Sequence, residues 1–242
     1  MILPGSTIGV VGGGQLGRML GLAARNMGYH FITLEPSIDC PAASISDQTF
    51  VSNYNNEKIL QQLAEKADVL TFEFENIPSS AFDEISQNLP IHPSSSVLHI
   101  CQNREREKRF LSSNNYPLPQ FRIINDLKEL RLAVQALGTP CVIKTADFGY
   151  DGKGQIKLES DTDLADAWHK LNVPLAILES WVTYECEISI ICARSSSGEI
   201  ATFPLAENIH TNHILDLSIV PARVPEPVIQ TAKEIAMSLA ED

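Results

Sequence analysis

A charged, glycine-rich segment runs from Lys144 to Gln155 and reads KTADFGYDGKGQ. It places three glycines, two lysines and two aspartates between the strand-like runs PCVI and QIKL. Asp151-Gly152 is a strong hairpin-turn dipeptide, but a tight hairpin needs only two turn residues. The additional glycines would let backbone amides approach an anion, and Lys144 and Lys153 would add positive charge. The segment therefore fits either a long static hairpin or a phosphate-binding flap.

A second glycine motif, VVGGGQLGR, lies between a predicted strand and a predicted helix. Gly12, Gly14 and Gly17 satisfy the G-x-G-x-x-G fingerprint of dinucleotide-binding folds. Glu35 ends the next predicted strand, 18 residues after Gly17, where a ribose-binding acid would sit. Amides at the start of a helix can hold a phosphate. The motif alone does not separate NAD from another phosphate-bearing ligand, or either of them from a turn without a ligand.

Acidic side chains near strand ends form a third group of candidates. Glu73 and Glu75 share one face of an extended segment at the carboxyl end of a strand, where open α/β sheets bind ligands. Further candidates lie near later strand edges: Glu179, Glu185, Glu187, Glu207, His210 and His213. Glutamates there could accept sugar hydroxyls, although solvated loop acids would give the same pattern. The His-x-x-His pair is more often incidental than a metal site, because no predicted helix aligns it.

The elements that position these residues change character along the chain. Strands and helices alternate over the first hundred residues, in the order TIGVV, Gln15–Gly28, FITLE, Asn56–Ala67, DVLTFE and SSAFDEISQNL. Such alternation predicts a parallel, doubly wound sheet. The first helix carries apolar residues at helical spacing: Leu16, Met19, Leu20, Ala23 and Met27. That spacing predicts an amphipathic helix.

After the break HPSSSV the pattern becomes mixed, with antiparallel hairpins. Helices are predicted at Asn103–Ser113, Leu127–Leu137, Asp161–Leu171 and Pro225–Ala240. Asp161 is the predicted cap of the third of these helices. Strands are predicted at PCVI, QIKL, LAILESWV, CEISIICARS and IATFPLAE. The last helix ends the chain without a glycine cap, so we expect a C-terminally truncated piece of a longer protein.

Composition excludes several classes of protein. A formal net charge of -12 argues against a nucleic-acid or anionic-membrane surface, since binding to phosphate backbones depends on excess Lys and Arg. No apolar run approaches the roughly 20 residues of a transmembrane helix. The five cysteines are odd in number and contain no C-x-x-C pair, which favours reduced thiols in a cytoplasm over a disulfide scaffold.

Taken in order, six motifs resemble one family. They are GGGQLGRML, FEFENIP, NREREK, VIKTADFGYDGKGQ, LESWVTYECEIS and PLAENIHTNHIL. The chain is similar, from Gly9 to about Asp242, to the N5-carboxyaminoimidazole ribonucleotide synthetase family of ATP-grasp carboxylate–amine ligases. The resemblance implies a fold of class α/β and α+β. A Rossmann-like pre-ATP-grasp substrate domain at residues 1–98 would be followed by an incomplete ATP-grasp domain at residues 99–242.

The resemblance also implies a reaction and a set of residue roles. The family carboxylates aminoimidazole ribonucleotide with bicarbonate and ATP, through carboxyphosphate, in purine biosynthesis. The implied ATP-binding residues are Arg104, Lys144, Gly149, Tyr150, Asp151, Gly152, Lys153, Gly154, Gln155, Glu179, Ser180, Trp181, Val182, Glu187 and His210. The implied catalytic residues are Tyr150, Asp151 and Lys153. The implied substrate contacts are Gly14, Gln15 and Leu16 at the 5′-phosphate, and Glu73 and Glu75 at the ribose and amine.

Under this reading the segment 149–155 is a lid that closes over the short-lived carboxyphosphate. The family also uses Mg²⁺, but its metal-ligand motif finds no match in this chain, so we assign no metal ligand here and expect the piece to be inactive alone. A cytoplasmic homodimer acting on small molecules is implied as well.

Three alternatives stay open at this point. One is a related ATP-grasp ligase, such as a formate-dependent transformylase or a biotin carboxylase-like enzyme. Another is an NAD(P)-dependent oxidoreductase that uses Gly12, Gly14, Gly17 and Glu35. The last is a binding module without catalytic activity.

Overall fold

The computed structural model describes residues 2–83, 85–147, 154–211 and 214–242. The chain divides into two compact units, Met1–Glu107 and Lys108–Asp242. The boundary predicted between residues 98 and 99 falls inside a helix, Ser95–Cys101, and stays a prediction. Within the described ranges, no helix has both the length and the apolar character needed to cross a bilayer.

The first unit is built on one parallel sheet. Its strands are β1 (Thr7–Val11), β2 (His30–Glu35), β3 (Gln48–Val51) and β4 (Val69–Phe72), and they lie in the order β3-β2-β1-β4. Its helices are α1 (Gln15–Asn26), α2 (Glu57–Ala64), α3 (Ser95–Cys101) and the start of α4 (Arg104–Ser113). The parallel sheet with intervening helices confirms the predicted α/β class.

Both faces of this sheet are covered. Val11 belongs to a buried cluster that includes Leu60 and Leu63 of α2, whereas its neighbour Val10 belongs to a second cluster that includes Ala24 of α1. Successive residues of a strand point to opposite faces, so the two clusters lie on opposite sides of the sheet. A sheet buried on both sides explains why TIGVV and FITLE read as continuous apolar runs rather than alternating ones.

Helix α1 is confirmed, although its apolar stripe is not buried, and one other prediction for the first unit is wrong. The apolar stripe of α1 is exposed, with Leu16 at 58% and Met19 at 63%, because α1 packs through the small residues Gly17, Gly21 and Ala24. The segment SSAFDEISQNL contains two short 3₁₀ helices, Ser79–Phe82 and Ile85–Gln87, instead of one α-helix. The spacing of three between its buried Phe82 and Ile85 suits both helix types. Strand β3 was not predicted.

Within its described residues, the second unit contains three antiparallel sheets. The largest has the order β5-β8-β6-β7, from β5 (Phe121–Ile124), β6 (Cys141–Thr145), β7 (Gln155–Leu158) and β8 (Ala176–Ser180). A second sheet joins β9 (Glu187–Ser189), β12 (Ala206–Thr211) and β13 (Ile214–Ile219), and a hairpin joins β10 (Cys192–Arg194) to β11 (Ile200–Thr202). The helices are α5 (Leu127–Leu137), α6 (Leu164–Leu171) and α7 (Glu226–Glu241).

The four-stranded sheet has one apolar and one mixed face. Cys141 and Ile143 of β6 are buried in a cluster with residues of α5 and α6, such as Leu130 and Ala167. The residues between and beyond them, Val142 and Lys144, therefore point away from those helices. This alternation is what makes the second face available for a binding site.

Several boundaries in the second unit differ from their predictions. CEISIICARS is not one strand, because β9 and β10 belong to different sheets. IATFPLAE is likewise divided between β11 and β12, with Pro204 between them, where a missing N–H would interrupt a ladder. Helix α6 begins at Leu164, and its cap is Asp163, whose Oδ1 accepts from the amides of Ala165 at 2.9 Å and Asp166 at 3.3 Å.

We predict that Asp163→Ala lowers the free energy of unfolding by about 1 kcal/mol, because it removes the acceptor for two amides at the start of α6. Asp161→Ala, two residues earlier and outside the helix, is the matched control and should cost less than about 0.5 kcal/mol. Urea unfolding of the two variants checks this. Equal losses would mean that the cap is not the source of the effect.

Candidate functional site

A cleft of about 640 Å³ lies in the second unit, over the mixed face of the four-stranded sheet. Its lining residues are Pro119, Val142, Lys144, Gln155, Lys157, Glu179, Ser180, Trp181, Val182, Tyr184, Glu187 and His210. Pro119 precedes β5, and the others come from β6, β7 and β8, the segment after β8, and the neighbouring sheet of β9 and β12. The cleft thus combines two cations, two carboxylates and exposed aromatic surface in one place.

The structure brings most of the predicted ATP-binding residues of this unit to that cleft. Those that line it are Lys144, Gln155, Glu179, Ser180, Trp181, Val182, Glu187 and His210. Gly154 lies next to it, with its carbonyl accepting from the Thr145 amide at 2.8 Å. The predicted lid residues Gly149, Tyr150, Asp151, Gly152 and Lys153 lie outside the described residues. Arg104 begins α4 in the first unit. The individual roles stay predictions.

The floor of the cleft contains a buried carboxylate between two lysines. Glu179 Oε1 lies 2.9 Å from Nζ of Lys108, and its Oε2 lies 3.1 Å from Nζ of Lys144. Glu179 is 6% exposed, so its charge needs these partners. Together the three side chains carry one net positive charge. Such a cluster can attract an anion to the cleft.

The two lysines decide the protonation state of Glu179. Burial raises the pKa of this carboxyl, but the hydrogen bond from Lys108 and the charges of Lys144 and Lys108 outweigh burial and hold the pKa below its ordinary value. The group is therefore ionised at neutral pH. Removing either lysine would leave a buried charge only partly compensated, a change that costs roughly 3–5 kcal/mol in buried ion pairs.

The mouth of the cleft offers an aromatic face and a polar pair. The indole of Trp181 is 44% exposed, and Lys157 Nζ lies 4.4 Å from its ring centroid. Glu187 Oε1 lies 3.6 Å from Nδ1 of His210 on the adjacent strand. A flat aromatic surface with a nearby cation suits a planar base, and a carboxylate suits sugar hydroxyls.

Two contributors were not found from the sequence. Lys108 was predicted only as part of the charged helix Asn103–Ser113, yet it is 8% exposed and pairs with Glu179. The sequence feature that could have identified Lys108 is its spacing of four residues from Arg104, a predicted ATP-binding residue. This spacing puts both residues on one helix face. Lys157 shares a strand face with Gln155, two residues earlier. Glu207, a sequence candidate, instead forms a two-pronged ion pair with Arg223 at 2.9 and 2.6 Å.

In the first unit the glycine turn between β1 and α1 is occupied by side chains of the protein itself. Glu35 Oε2 accepts from the amide of Gly13 at 2.9 Å and from the hydroxyl of Tyr54. Glu73, just after β4, accepts from the amides of Gly14 at 2.8 Å and Gly17. Desolvation and the hydrogen bond to Glu35 raise the pKa of Tyr54, so its hydroxyl stays protonated and donates.

The predicted substrate-binding residues are all described in this unit. Gly14, Gln15 and Leu16 lie at the start of α1, and the Gly14 amide is already bonded to Glu73. Glu75 is exposed, two residues after Glu73. Each oxygen of Glu73 has a second lone pair, so contact with a ribose or amine stays a prediction. The NAD(P)-dependent oxidoreductase hypothesis loses support. Both of the elements on which it depends, the turn amides and Glu35, form hydrogen bonds within the chain.

Comparison with known protein families gives two matches. A ribonucleotide synthetase pre-ATP-grasp domain model matches residues 5–102, and an ATP-grasp domain model matches residues 109–242. The chain belongs to the ATP-grasp family. The ATP-grasp match covers the unit that holds the cleft, and the pre-ATP-grasp match covers the unit with the parallel sheet.

Comparison with individual proteins shows which ATP-grasp enzymes this chain resembles. The N5-carboxyaminoimidazole ribonucleotide synthase of Bacillus subtilis (strain 168) is 41% identical over 100% of this chain and 64% of its own length. The ADP complex of an N5-carboxyaminoimidazole ribonucleotide synthetase is 44% identical, with a TM-score of 0.95 over 100% of this chain and 64% of that one.

A third similar protein has a structure with two bound molecules. The Aspergillus clavatus synthase with ADP and 5-aminoimidazole ribonucleotide is 27% identical, with a TM-score of 0.87 over 99% of this chain and 63% of that one. The chain thus spans somewhat less than two thirds of the length of these relatives.

The paired carboxylate of the cleft should make stability depend on pH. The folded-state pKa of Glu179 is lowered, so its stabilising contribution is present above the ordinary value of 4.5 and is lost as pH falls through the folded value. Between the folded-state pKa and 4.5, the unfolding free energy of the unchanged protein should fall as the pH is lowered. We predict that Glu179→Gln makes this fall shallower, by up to about 1.4 kcal/mol per pH unit.

Urea unfolding across the acidic range measures this slope. Glu199→Gln, an exposed glutamate of the same unit, is the control and should keep the slope of the unchanged protein. Identical slopes for all three proteins would contradict an ionised, paired Glu179.

Proposed function

We propose that this chain binds ATP in the cleft of its second unit and forms part of a ligase that carboxylates 5-aminoimidazole ribonucleotide with bicarbonate. The observation that carries the proposal is the Lys108–Glu179–Lys144 cluster in the cleft of an ATP-grasp domain. A net positive, largely buried cluster next to an aromatic face offers separate places for phosphates and a base. The relatives named above add the reaction, since they are synthases of N5-carboxyaminoimidazole ribonucleotide.

Different residues of the cleft would contact different parts of the proposed nucleotide. Lys144 would pair with phosphate oxygens, because its ammonium has donors beyond the one given to Glu179. Trp181 and Val182 would lie beside the adenine, and Glu187 would accept from the ribose hydroxyls. ATP supplies the phosphoryl group that activates bicarbonate, and the predicted lid residues Tyr150, Asp151 and Lys153 would exclude water from that step.

Mg²⁺ is proposed here only as an ion that accompanies ATP. Across the part of the chain that the structure describes, no three His, Cys, Asp or Glu side chains are grouped to hold a metal ion.

A homodimer in the cytoplasm completes the proposal. The exposed apolar stripe of α1 supports association, because Leu16, Met19, Leu20 and Leu22 present contiguous helix surface to solvent. The five cysteines support a reducing compartment, since each is a free thiol.

Tryptophan fluorescence offers a test of nucleotide binding by this chain. The chain has two tryptophans, Trp181 in the cleft and Trp168 packed against the core of the second unit. ATP should change the emission of Trp168→Phe, which retains Trp181, because a base would lie near the exposed indole. Trp181→Phe should give no change. A response that persists in Trp181→Phe would place the nucleotide elsewhere, and a stronger response to NAD than to ATP would favour the oxidoreductase.

Turnover tests the reaction itself, in a form of the protein that extends to the length of its relatives. We expect ADP release that needs bicarbonate and rises with aminoimidazole ribonucleotide. Lys144→Ala should lower kcat/KM for ATP about 10- to 150-fold, because a charge-assisted hydrogen bond contributes about 1.5–3 kcal/mol.

Lys128→Ala removes an exposed lysine of α5 and serves as the matched control, with unchanged turnover expected. Circular dichroism confirms that both variants fold. ADP release that ignores bicarbonate, or that survives Lys144→Ala unchanged, would contradict the proposed function.

A further inference from the structure

The start of α1 has an unusual cap. Helices most often begin with a Ser, Thr, Asp or Asn whose side chain accepts from amides of the first turn. The residue in that position here is Gly14, which has no side chain, and the first turn contains no acid. Glu73, 59 residues later in the chain, supplies the acceptor instead, with one oxygen on the Gly14 amide and the other on the Gly17 amide.

The glycines of the fingerprint make room for this carboxylate. Gly12 has φ +112°, a conformation that L side chains rarely adopt, and a Cβ at this position would clash with Cγ of Glu73. A Cβ on Gly17 would lie 2.5 Å from Oε2 of Glu73 and 2.7 Å from the Gly12 carbonyl oxygen. In a dinucleotide-binding turn these glycines allow a pyrophosphate to approach the backbone. Here they allow a glutamate of the same chain to do so.

We infer that Glu73 is a built-in anion that takes the place of a phosphate on the amides of Gly14 and Gly17. It is a positioning residue, because it fixes the turn through two backbone hydrogen bonds at the positive end of α1. It is also a specificity determinant, because a dinucleotide pyrophosphate cannot use these two amides while the carboxylate occupies them. The inference goes beyond the proposed function and concerns the first unit in the absence of any nucleotide.

Anion rescue of a truncated side chain tests the inference. Glu73→Ala should lower Tm by roughly 4–10 °C, because two partly buried amides lose a charged acceptor. Sodium formate should recover about half of that loss, since a small carboxylate that binds only the folded state stabilises it. Sodium chloride at the same ionic strength should recover little. The unchanged protein should gain nothing specific from formate.

Two further variants separate this effect from general destabilisation. Glu65→Ala removes an exposed glutamate of the same unit and should show neither the loss nor the rescue. Glu73→Gln keeps the volume of the side chain and one acceptor, so it should lower Tm without creating room for formate. In the NMR spectrum of Glu73→Gln the amide protons of Gly14 and Gly17 should shift upfield, because their hydrogen bonds weaken. This measurement tests the inference even if Glu73→Ala does not fold.

The inference is overturned if formate stabilises the unchanged protein as much as Glu73→Ala. It is overturned equally if Glu73→Ala behaves like Glu65→Ala, or if Glu73→Gln leaves both amide resonances in place. None of these measurements uses ATP or a nucleotide substrate, so their outcome is independent of the turnover test.

Discussion

A carboxylate taken out of water must meet positive charge or hydrogen-bond donors, and Glu179 does so with one lysine on each oxygen. Lys144 comes from the strand beside it, and Lys108 comes from helix α4, which precedes the sheet in the chain. The carboxylate therefore ties two elements to β8 and fixes where two ammonium groups stand. The cluster therefore leaves one net positive charge at the floor of the cleft.

The first unit meets the same requirement with backbone amides instead of lysines. Glu73 and Glu35 each follow or end a strand of the parallel sheet, and both reach the turn between β1 and α1. A helix start offers unpaired amides with partial positive charge, so a carboxylate placed there is stabilised without any basic side chain. This explains how an acidic chain can hold two half-buried glutamates at a turn whose sequence matches a phosphate-binding fingerprint.

Much of the fold could be predicted because it depends on local pattern. Continuous apolar runs gave β1, β2 and β4, and charge and apolar periodicity gave α4, α5 and α7 to within a few residues. Predictions failed where packing overrides pattern. The face of α1 with the larger apolar residues is exposed, because glycines and alanine let the other face approach the sheet. β3 and β5 are too short and too weakly alternating to be distinguished from loops without their partner strands.

The sequence by itself determined which residue types were available for chemistry: glycine turns, acids at strand ends, and Lys144 at the end of a strand. It also indicated the order of motifs, from which the ATP-grasp family followed. Only the tertiary structure decided the partners. Contacts such as Lys108 with Glu179, or Glu73 with Gly14 and Gly17, join positions about 60 to 70 residues apart, and no local periodicity encodes them. They arise because sheet formation brings distant strand ends together, and a buried charge then accepts whichever donors lie within reach.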